Sequence, residues 1–168
     1  MKNLFLTSAL LAGVLAACGG SSSAPAESPK ASEWKTMDHK QRAKYMAKVV
    51  LPKMKEVFVA FDPQFKDMDC KTCHGEGETD GTFKMPNPKL RVLPQSEEQF
   101  GTWVKAEPDL GRWGQFMGSK VEPMMAQLLG EEVKDEKTGK GEFDCLNCHN
   151  SAASDTPSPK PANPYTGA

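Results

Sequence analysis

Apolar side chains recur every three or four positions over residues 43–58, which places them on one face of an α-helix. A capping pattern begins the segment, because Asp38 is followed three residues later by Gln41. Pro52 interrupts the pattern, so the helix either kinks there or restarts with Pro52 in its first turn. The apolar positions are Ala43, Met46, Ala47, Val50, Leu51, Met54, Val57 and Phe58.

Two further helices are predicted in the second half of the chain. Ser96 and Gln99 form the capping pattern of a short helix, and residues 110–129 carry a second apolar stripe that stops at Gly130. Between residues 74 and 95 the glycines and prolines argue against regular structure. No alternating run is long enough for a sizeable sheet. The predicted fold class is therefore mainly α, with long irregular loops.

The two apolar helices share a pattern at a constant offset. Positions shift from 46 to 117, from 52 to 123 and from 54 to 125, which is 71 residues each time. Each helix is followed by a polar loop that ends at an aspartate. We therefore predict two tandem units, at about residues 38–95 and 96–150. The matched pairs are Met46 with Met117, Pro52 with Pro123, Met54 with Met125, and Asp69 with Asp144.

Each unit ends in a Cys-x-x-Cys-His motif, the attachment signature of c-type haem. In such a site the two thiols add across the vinyl groups of one porphyrin, and the histidine lies under the iron. A zinc site built from two Cys-x-x-Cys pairs usually closes a loop of about 15 to 20 residues, whereas Cys73 and Cys145 are 72 positions apart. We expect two covalently bound haems c. Their attachment and proximal residues are Cys70, Cys73 and His74, and Cys145, Cys148 and His149.

The histidine count limits the distal ligands. The chain has three histidines, and the two motifs use two of them, so only His39 remains. Two bis-histidine haems are therefore excluded, and a methionine sulfur becomes the expected sixth ligand, which raises the reduction potential relative to a second imidazole. No methionine follows His149. A methionine ligand for the second haem must then come from upstream in the chain.

The order of helix, methionine, turn and Cys-x-x-Cys-His resembles the multihaem cytochrome subunit of photosynthetic reaction centres. The likeness extends from Asp38 to His149 and covers about two units. It implies that Met54 is the distal ligand of the first haem and Met125 that of the second. The chain differs from that subunit in having two motifs rather than four and longer loops between methionine and cysteine.

Other side chains are alternatives to these distal ligands. Met46 and Met117 lie on the same two helices and match each other in the repeat. Met85, within Lys-Met-Pro-Asn-Pro, looks like the downstream ligand of single-haem cytochromes, although the second unit has no counterpart. His39 is the spare imidazole. A methionine on an apolar helix face also often fills a core without binding metal.

The amino-terminal residues predict export. Lys2 precedes an apolar run, Leu4 to Ala17, that fits a signal peptide and is too short to span a bilayer. Leu-Ala-Ala-Cys at residues 15–18 resembles a bacterial lipobox, which implies cleavage before Cys18 and lipid on its sulfur. An ordinary cleaved signal peptide is the alternative. Either way, the mature chain is exported, and with lipid on Cys18 it is held at the periplasmic face of a bacterial membrane or on the outer surface.

Composition completes the domain organisation. A formal net charge of −1 gives no support for nucleic-acid binding. With four cysteines assigned to haem and one to lipid, none remains for a disulfide. The predicted regions are a signal peptide at residues 1–17, a lipidated cysteine and flexible tether at 18–33, a dihaem cytochrome domain at 34–150, and a disordered tail rich in proline and serine at 151–168.

Two functions compete. The first is a membrane-tethered carrier that passes single electrons between donor and acceptor proteins and is not an enzyme. The second is a dihaem peroxidase or a small-ligand sensor, in which one iron keeps an open coordination site. Dihaem peroxidases have two larger domains and a distal acid–base cluster, and no such cluster is recognisable in this sequence. The carrier is therefore the preferred interpretation.

Overall fold

The computed structural model describes residues 31–152 of the chain. Of these residues 63% are helical, and within them no β-strand forms. Two isolated β-bridges pair Leu93 with Ser151 and Val133 with Phe143. The prediction of a mainly α fold is thus confirmed. No helix between residues 31 and 152 is both long and apolar enough to cross a membrane.

Several sequence predictions fall outside this described range. They are the signal peptide at residues 1–17, the lipid on Cys18, most of the tether and most of the tail. The described elements begin with a 3-10 turn at Ala31–Thr36, three residues before the predicted start of the cytochrome domain.

Seven α-helices form within residues 31–152. They are α1 (His39–Tyr45), α2 (Leu51–Phe61), α3 (Cys70–His74), α4 (Glu76–Thr79), α5 (Glu97–Ala106), α6 (Asp109–Phe116) and α7 (Glu122–Leu129). Further 3-10 turns cover Pro63–Asp67 and Cys145–Asn147, and π-helical turns cover Met46–Val50 and Met117–Val121. The predicted capping box of Asp38 and Gln41 is present, and Gly130 ends α7 in the left-handed conformation.

A π turn precedes each proline and explains how the helix passes it. Proline has no N–H and its ring crowds the carbonyl four residues earlier, so the usual helical bond cannot form there. The residue before each proline instead bonds five residues back, and the proline falls within the first two positions of the next helix. The chain therefore continues through the break without stopping. The two bonds run from Leu51 N–H to the Met46 carbonyl and from Glu122 N–H to the Met117 carbonyl.

The π turn also sets which side chains face the core. Buried residues fall at Tyr45, Val50, Met54 and Phe58, so the spacing is five across the turn and four after it. An extra residue per turn rotates the following helix by about 100°, and the buried stripe moves with it. The same spacing links Phe116 to Val121, Met125 and Leu129. Phe116 and Leu129 are buried, and Val121 and Met125 are half-buried.

The main apolar core lies where α2 packs against α6 and α7. Phe116 stacks on Phe61 with ring centroids 3.9 Å apart and meets Phe58 edge-on at 5.1 Å. Tyr45 is 2% exposed, and its hydroxyl donates a hydrogen bond of 2.6 Å to the Leu128 carbonyl on α7. Aromatic packing and this bond together hold the two π-containing helical segments against each other.

A second, smaller cluster lies at the end of α7. Its buried members are Ala126, Leu129 and Phe143. Gly130 follows it with φ 65°, and a Cβ atom at this glycine would lie 2.6 Å from the carbonyl oxygen of Ala31. The 3-10 turn at the start of the described chain therefore packs directly onto the end of α7.

Candidate functional site

The first Cys-x-x-Cys-His motif forms the single-turn helix α3. Asp69 precedes it and makes a capping box: its side chain accepts from the Thr72 N–H at 3.2 Å, and its own N–H donates to the Thr72 hydroxyl at 3.0 Å. Because residues three apart lie on one face of a helix, Cys70 and Cys73 are presented on the same side of the turn.

The second motif begins with the same kind of cap but forms a 3-10 turn. Asp144 accepts from the Leu146 N–H at 2.9 Å and donates its N–H to the Asn147 side chain at 2.7 Å. The Cys145 thiol also lies 3.5 Å from a carboxylate oxygen of Glu122, at the start of α7. The aspartate that the sequence places before each motif is therefore a helix cap in both.

All four cysteines of the motifs are free thiols. Burial raises the pKa of Cys73 to about 12 and that of Cys148 to about 11. Desolvation, and after it the negative charge of Glu122, raises the pKa of Cys145 to about 11. Desolvation also raises the pKa of Cys70. These groups stay protonated at neutral pH, unlike the low-pKa thiolates of redox and protease sites.

The two motifs lie close to each other. Negative charge at Cys148 is the second cause, after burial, of the raised pKa of Cys73. Cys73 packs against the main core and Cys148 against the smaller cluster. Groups attached to these two sulfurs would therefore lie against two apolar clusters that are joined by Trp34, Met46 and Met125.

The histidine of the second motif is held in one tautomer. His149 Nδ1 lies 2.8 Å from the carbonyl oxygen of Arg91, and since a carbonyl only accepts, Nδ1 carries the proton. The lone pair is then on Nε2, the arrangement found in metal-binding histidines. Burial lowers the pKa of His149, partly offset by the bond to Arg91, so the ring is neutral at pH 7.

The histidine of the first motif lies in a different setting. Burial lowers the pKa of His74, and the nearby Phe83 backbone partly offsets this shift. The buried Nδ1 atom of His74 has no partner with good hydrogen-bond geometry. The Phe83 ring meets His74 edge-on with centroids 5.4 Å apart. Phe83 also has a positive φ of 49°, which is uncommon outside glycine. Two protonated thiols and a neutral imidazole in each motif are a donor set that fits haem c.

The two methionines expected as distal ligands both face the interior. Met54 is 4% exposed and belongs to the main core, against which Cys73 packs. Met125 is half-buried and packs against both this core and the smaller cluster that contacts Cys148. Each methionine thus belongs to or packs against the apolar cluster that a cysteine of its expected motif also contacts.

The rival ligands occupy varied positions. Met46 is half-buried between the two clusters, and Met117 is half-buried beside the main core. Met85 is half-buried and precedes a cis peptide bond to Pro86. His39 is exposed, with its ring centroid 6.1 Å from that of Phe83. Within residues 31–152 no group of three or more His, Cys, Asp and Glu side chains is arranged to hold a metal ion.

Sequence reasoning missed one residue of this site, Asn87. It is 3% exposed and contacts both motifs: its side-chain amide donates to the Cys73 carbonyl at 2.8 Å, and its backbone N–H donates to the Cys148 carbonyl at 3.2 Å. Its position between Pro86 and Pro88 indicates a turn residue. Nothing in that pattern indicates the distant partners.

Comparisons of the chain with protein-family models, curated proteins and solved structures found no match. The functional assignment therefore rests on the motifs and on the geometry described above.

The aspartate caps can be tested by substitution. Asp69→Ala removes a side-chain acceptor from the first turn of α3, so we expect a loss of about 1 kcal/mol in the free energy of unfolding. Asp67→Ala removes the same charge from an exposed residue at the end of the preceding 3-10 turn and should change this free energy by less than about 0.5 kcal/mol. Urea unfolding of the mature protein measures both, and equal effects would contradict the capping role.

Proposed function

We propose that this chain is a dihaem c-type cytochrome that transfers single electrons. The observation that carries the proposal is the pair of Cys-x-x-Cys-His motifs, each wound into an aspartate-capped turn with two protonated thiols and a neutral, partly buried histidine. Bound haem supplies a one-electron iron couple. The chain's own part is to attach, orient and enclose the two groups.

In this proposal each motif holds one haem. Cys70 and Cys73 form the thioether bonds of the first, and His74 is its proximal ligand. Cys145, Cys148 and His149 do the same for the second. The hydrogen bond from His149 Nδ1 to a backbone carbonyl supports this role, because such bonds orient a ligating imidazole and raise its basicity.

We further propose that the chain is built from two tandem helix–loop–motif units. The two π turns, at Met46–Val50 and Met117–Val121, are separated by the offset of 71 residues seen in the sequence repeat. Each is followed by a proline and, two residues after the proline, by a candidate ligand, which is the buried Met54 or the half-buried Met125. The shared break supports a shared role for these two methionines as distal ligands.

Methionine ligation favours the carrier over the enzyme. His74 with Met54, and His149 with Met125, would together hold each iron on both sides, and an iron held in this way would offer no open site to peroxide or a gas ligand. The apolar surroundings of Met54 suit such a closed site, since Val50, Phe58 and Phe116 share its cluster. The expected partners are an electron donor and an electron acceptor.

We propose that lipid on Cys18 holds this carrier at the periplasmic face of a bacterial membrane or on the outer surface. The support is the apolar run at residues 4–17 and the lipobox-like sequence at residues 15–18. Thioether attachment of haem agrees with export, because bacteria make these bonds outside the cytoplasm.

Haem stoichiometry is the most direct test of the proposal. Intact mass spectrometry of denatured mature protein should find two covalent haems on each chain. Replacing Cys70 and Cys73 together with alanine should leave one haem, and the corresponding change at Cys145 and Cys148 should leave the other. Mature wild-type protein carrying one haem or none would contradict the assignment.

Axial ligation separates the carrier from the enzyme. Met54→Ala or Met125→Ala should open one iron, remove half of the methionine-to-iron charge-transfer absorption, allow carbon monoxide to bind at one haem, and lower one reduction potential. Met37→Ala is the matched control, because it shortens a buried methionine of the same core that is not among the candidate ligands. Its spectra should stay unchanged.

The outcome at other positions decides between the remaining interpretations. Loss of the absorption in Met46→Ala and Met117→Ala would move the ligands to that pair and keep the carrier. A high-spin iron in the wild type that turns over peroxide would instead establish the enzyme.

Membrane attachment is tested through Cys18. Cys18→Ser should release the protein into the soluble periplasmic or external fraction while both haems remain, because only the acylation site is lost. Cell fractionation with haem staining measures this. Wild-type protein that is already soluble and without lipid would show that residues 1–17 are an ordinary cleaved signal peptide.

A further inference from the structure

The segment from Asn87 to Leu93 connects the two haem-attachment turns. Asn87 reaches both of them, through its side chain to Cys73 and through its backbone to Cys148. A single asparagine spans at most about 5 Å from backbone nitrogen to side-chain nitrogen. The carbonyls of the two attachment cysteines are therefore held on either side of one residue.

The rest of this segment continues along the second motif. The Arg91 carbonyl accepts the hydrogen bond from His149 Nδ1 at 2.8 Å. Leu93 donates its N–H to the Asn150 carbonyl at 2.8 Å, and its carbonyl accepts from the Ala152 N–H at 3.0 Å. The segment thus bonds to the second motif through Asn87 and Arg91, and to the residues just after that motif through Leu93. The first motif is bound through the amide of Asn87.

The local geometry requires an asparagine at position 87. Its Oδ1 accepts from the Lys89 N–H at 2.9 Å, which fixes the orientation of the amide and directs Nδ2 toward Cys73. Gly75 packs against the same amide so closely that an added Cβ would lie 2.9 Å from Nδ2. An aspartate keeps the shape and the acceptor but loses the donor, and an alanine loses both.

We propose that Asn87 is a positioning residue that fixes the two haem-attachment turns against each other, so that the oxidation state of one haem changes the reduction potential of the other. This inference rests on the proposed function, because it needs both haems in place. Asn87 acts through Cys73 and Cys148 and binds neither the iron nor any partner.

The coupling follows from electrostatics in an apolar interior. A unit change in charge at one site is felt at a second site in proportion to the inverse of distance and dielectric constant. The motifs are close, because Asn87 bonds at 2.8 Å to the Cys73 carbonyl and at 3.2 Å to the Cys148 carbonyl, and both cysteines adjoin apolar clusters. A fixed spacing keeps this interaction constant. A loosened first turn would let the spacing vary and weaken it.

The test compares Asn87→Asp and Asn87→Ala with Asn150→Ala, all as mature dihaem proteins. Asn150→Ala removes an exposed side chain next to the second motif and keeps the carbonyl that bonds to Leu93. We expect both Asn87 variants to shift the separation between the two midpoint potentials in a redox titration and to lose the haem–haem interaction seen by electron paramagnetic resonance. The control should behave as the wild type.

Asn87 variants that hold two haems and give the redox titration of the wild type would overturn the inference. This holds even if their unfolding midpoints fall, because a purely structural role predicts lower stability with unchanged potentials. If the variants do not retain both haems, hydrogen exchange of the wild type decides. Protection of the Asn87 and Leu93 amides comparable to that of α2 supports the bridge, and exchange as fast as in the exposed loop at residues 134–140 overturns it. A wild type without haem would refute the proposed function, whereas hydrogen exchange would still report on the bridge.

Discussion

The missing N–H of Pro52 and Pro123 is the constraint on which the position of the candidate ligands depends. A regular helix through either site would leave a steric conflict with the carbonyl four residues earlier, so the bond before each proline lengthens to five residues. That single extra residue rotates the following helix, so that the spacing between successive buried residues is five across the π turn and four after it. Val50, Met54 and Phe58 then face the same core as Tyr45, which lies before the turn. A helix without the π turn would direct the same methionine elsewhere.

Desolvation favours the neutral form of every cysteine and histidine in the two motifs. It raises the pKa of the thiols and lowers that of the histidines, so all of them are neutral at pH 7. Neutral groups can be enclosed in an apolar interior at low free-energy cost, whereas thiolates and imidazolium ions cannot. The Asp69 cap supplies order without adding buried charge, because this residue is exposed while its oxygen accepts a hydrogen bond from a backbone N–H.

The parts of the fold that sequence predicts well are those set by neighbouring residues. The box of Asp38 and Gln41, the cap at Ser96 and the stop at Gly130 are each determined within one helical turn, and the structure contains all three. The π turns were missed because a proline in an apolar helix is compatible with a kink, a restart or a longer bond. Asn87 was missed for another reason. Its partners lie 14 and 61 positions away in the chain, and a backbone carbonyl that accepts a hydrogen bond leaves no trace in the residue types.

The segment from Asn87 to Leu93 also makes the two motifs unequal, although their sequences are alike. His149 is tied to a backbone carbonyl through Nδ1, whereas Nδ1 of His74 is buried without an acceptor of good geometry. A hydrogen bond at Nδ1 makes an imidazole a stronger donor to a metal, which stabilises the oxidised state of a bound iron and lowers its reduction potential. The segment that holds the two turns together therefore also distinguishes them. In the proposed carrier with two haems, this difference would lower the reduction potential of the haem on His149 relative to that of the haem on His74.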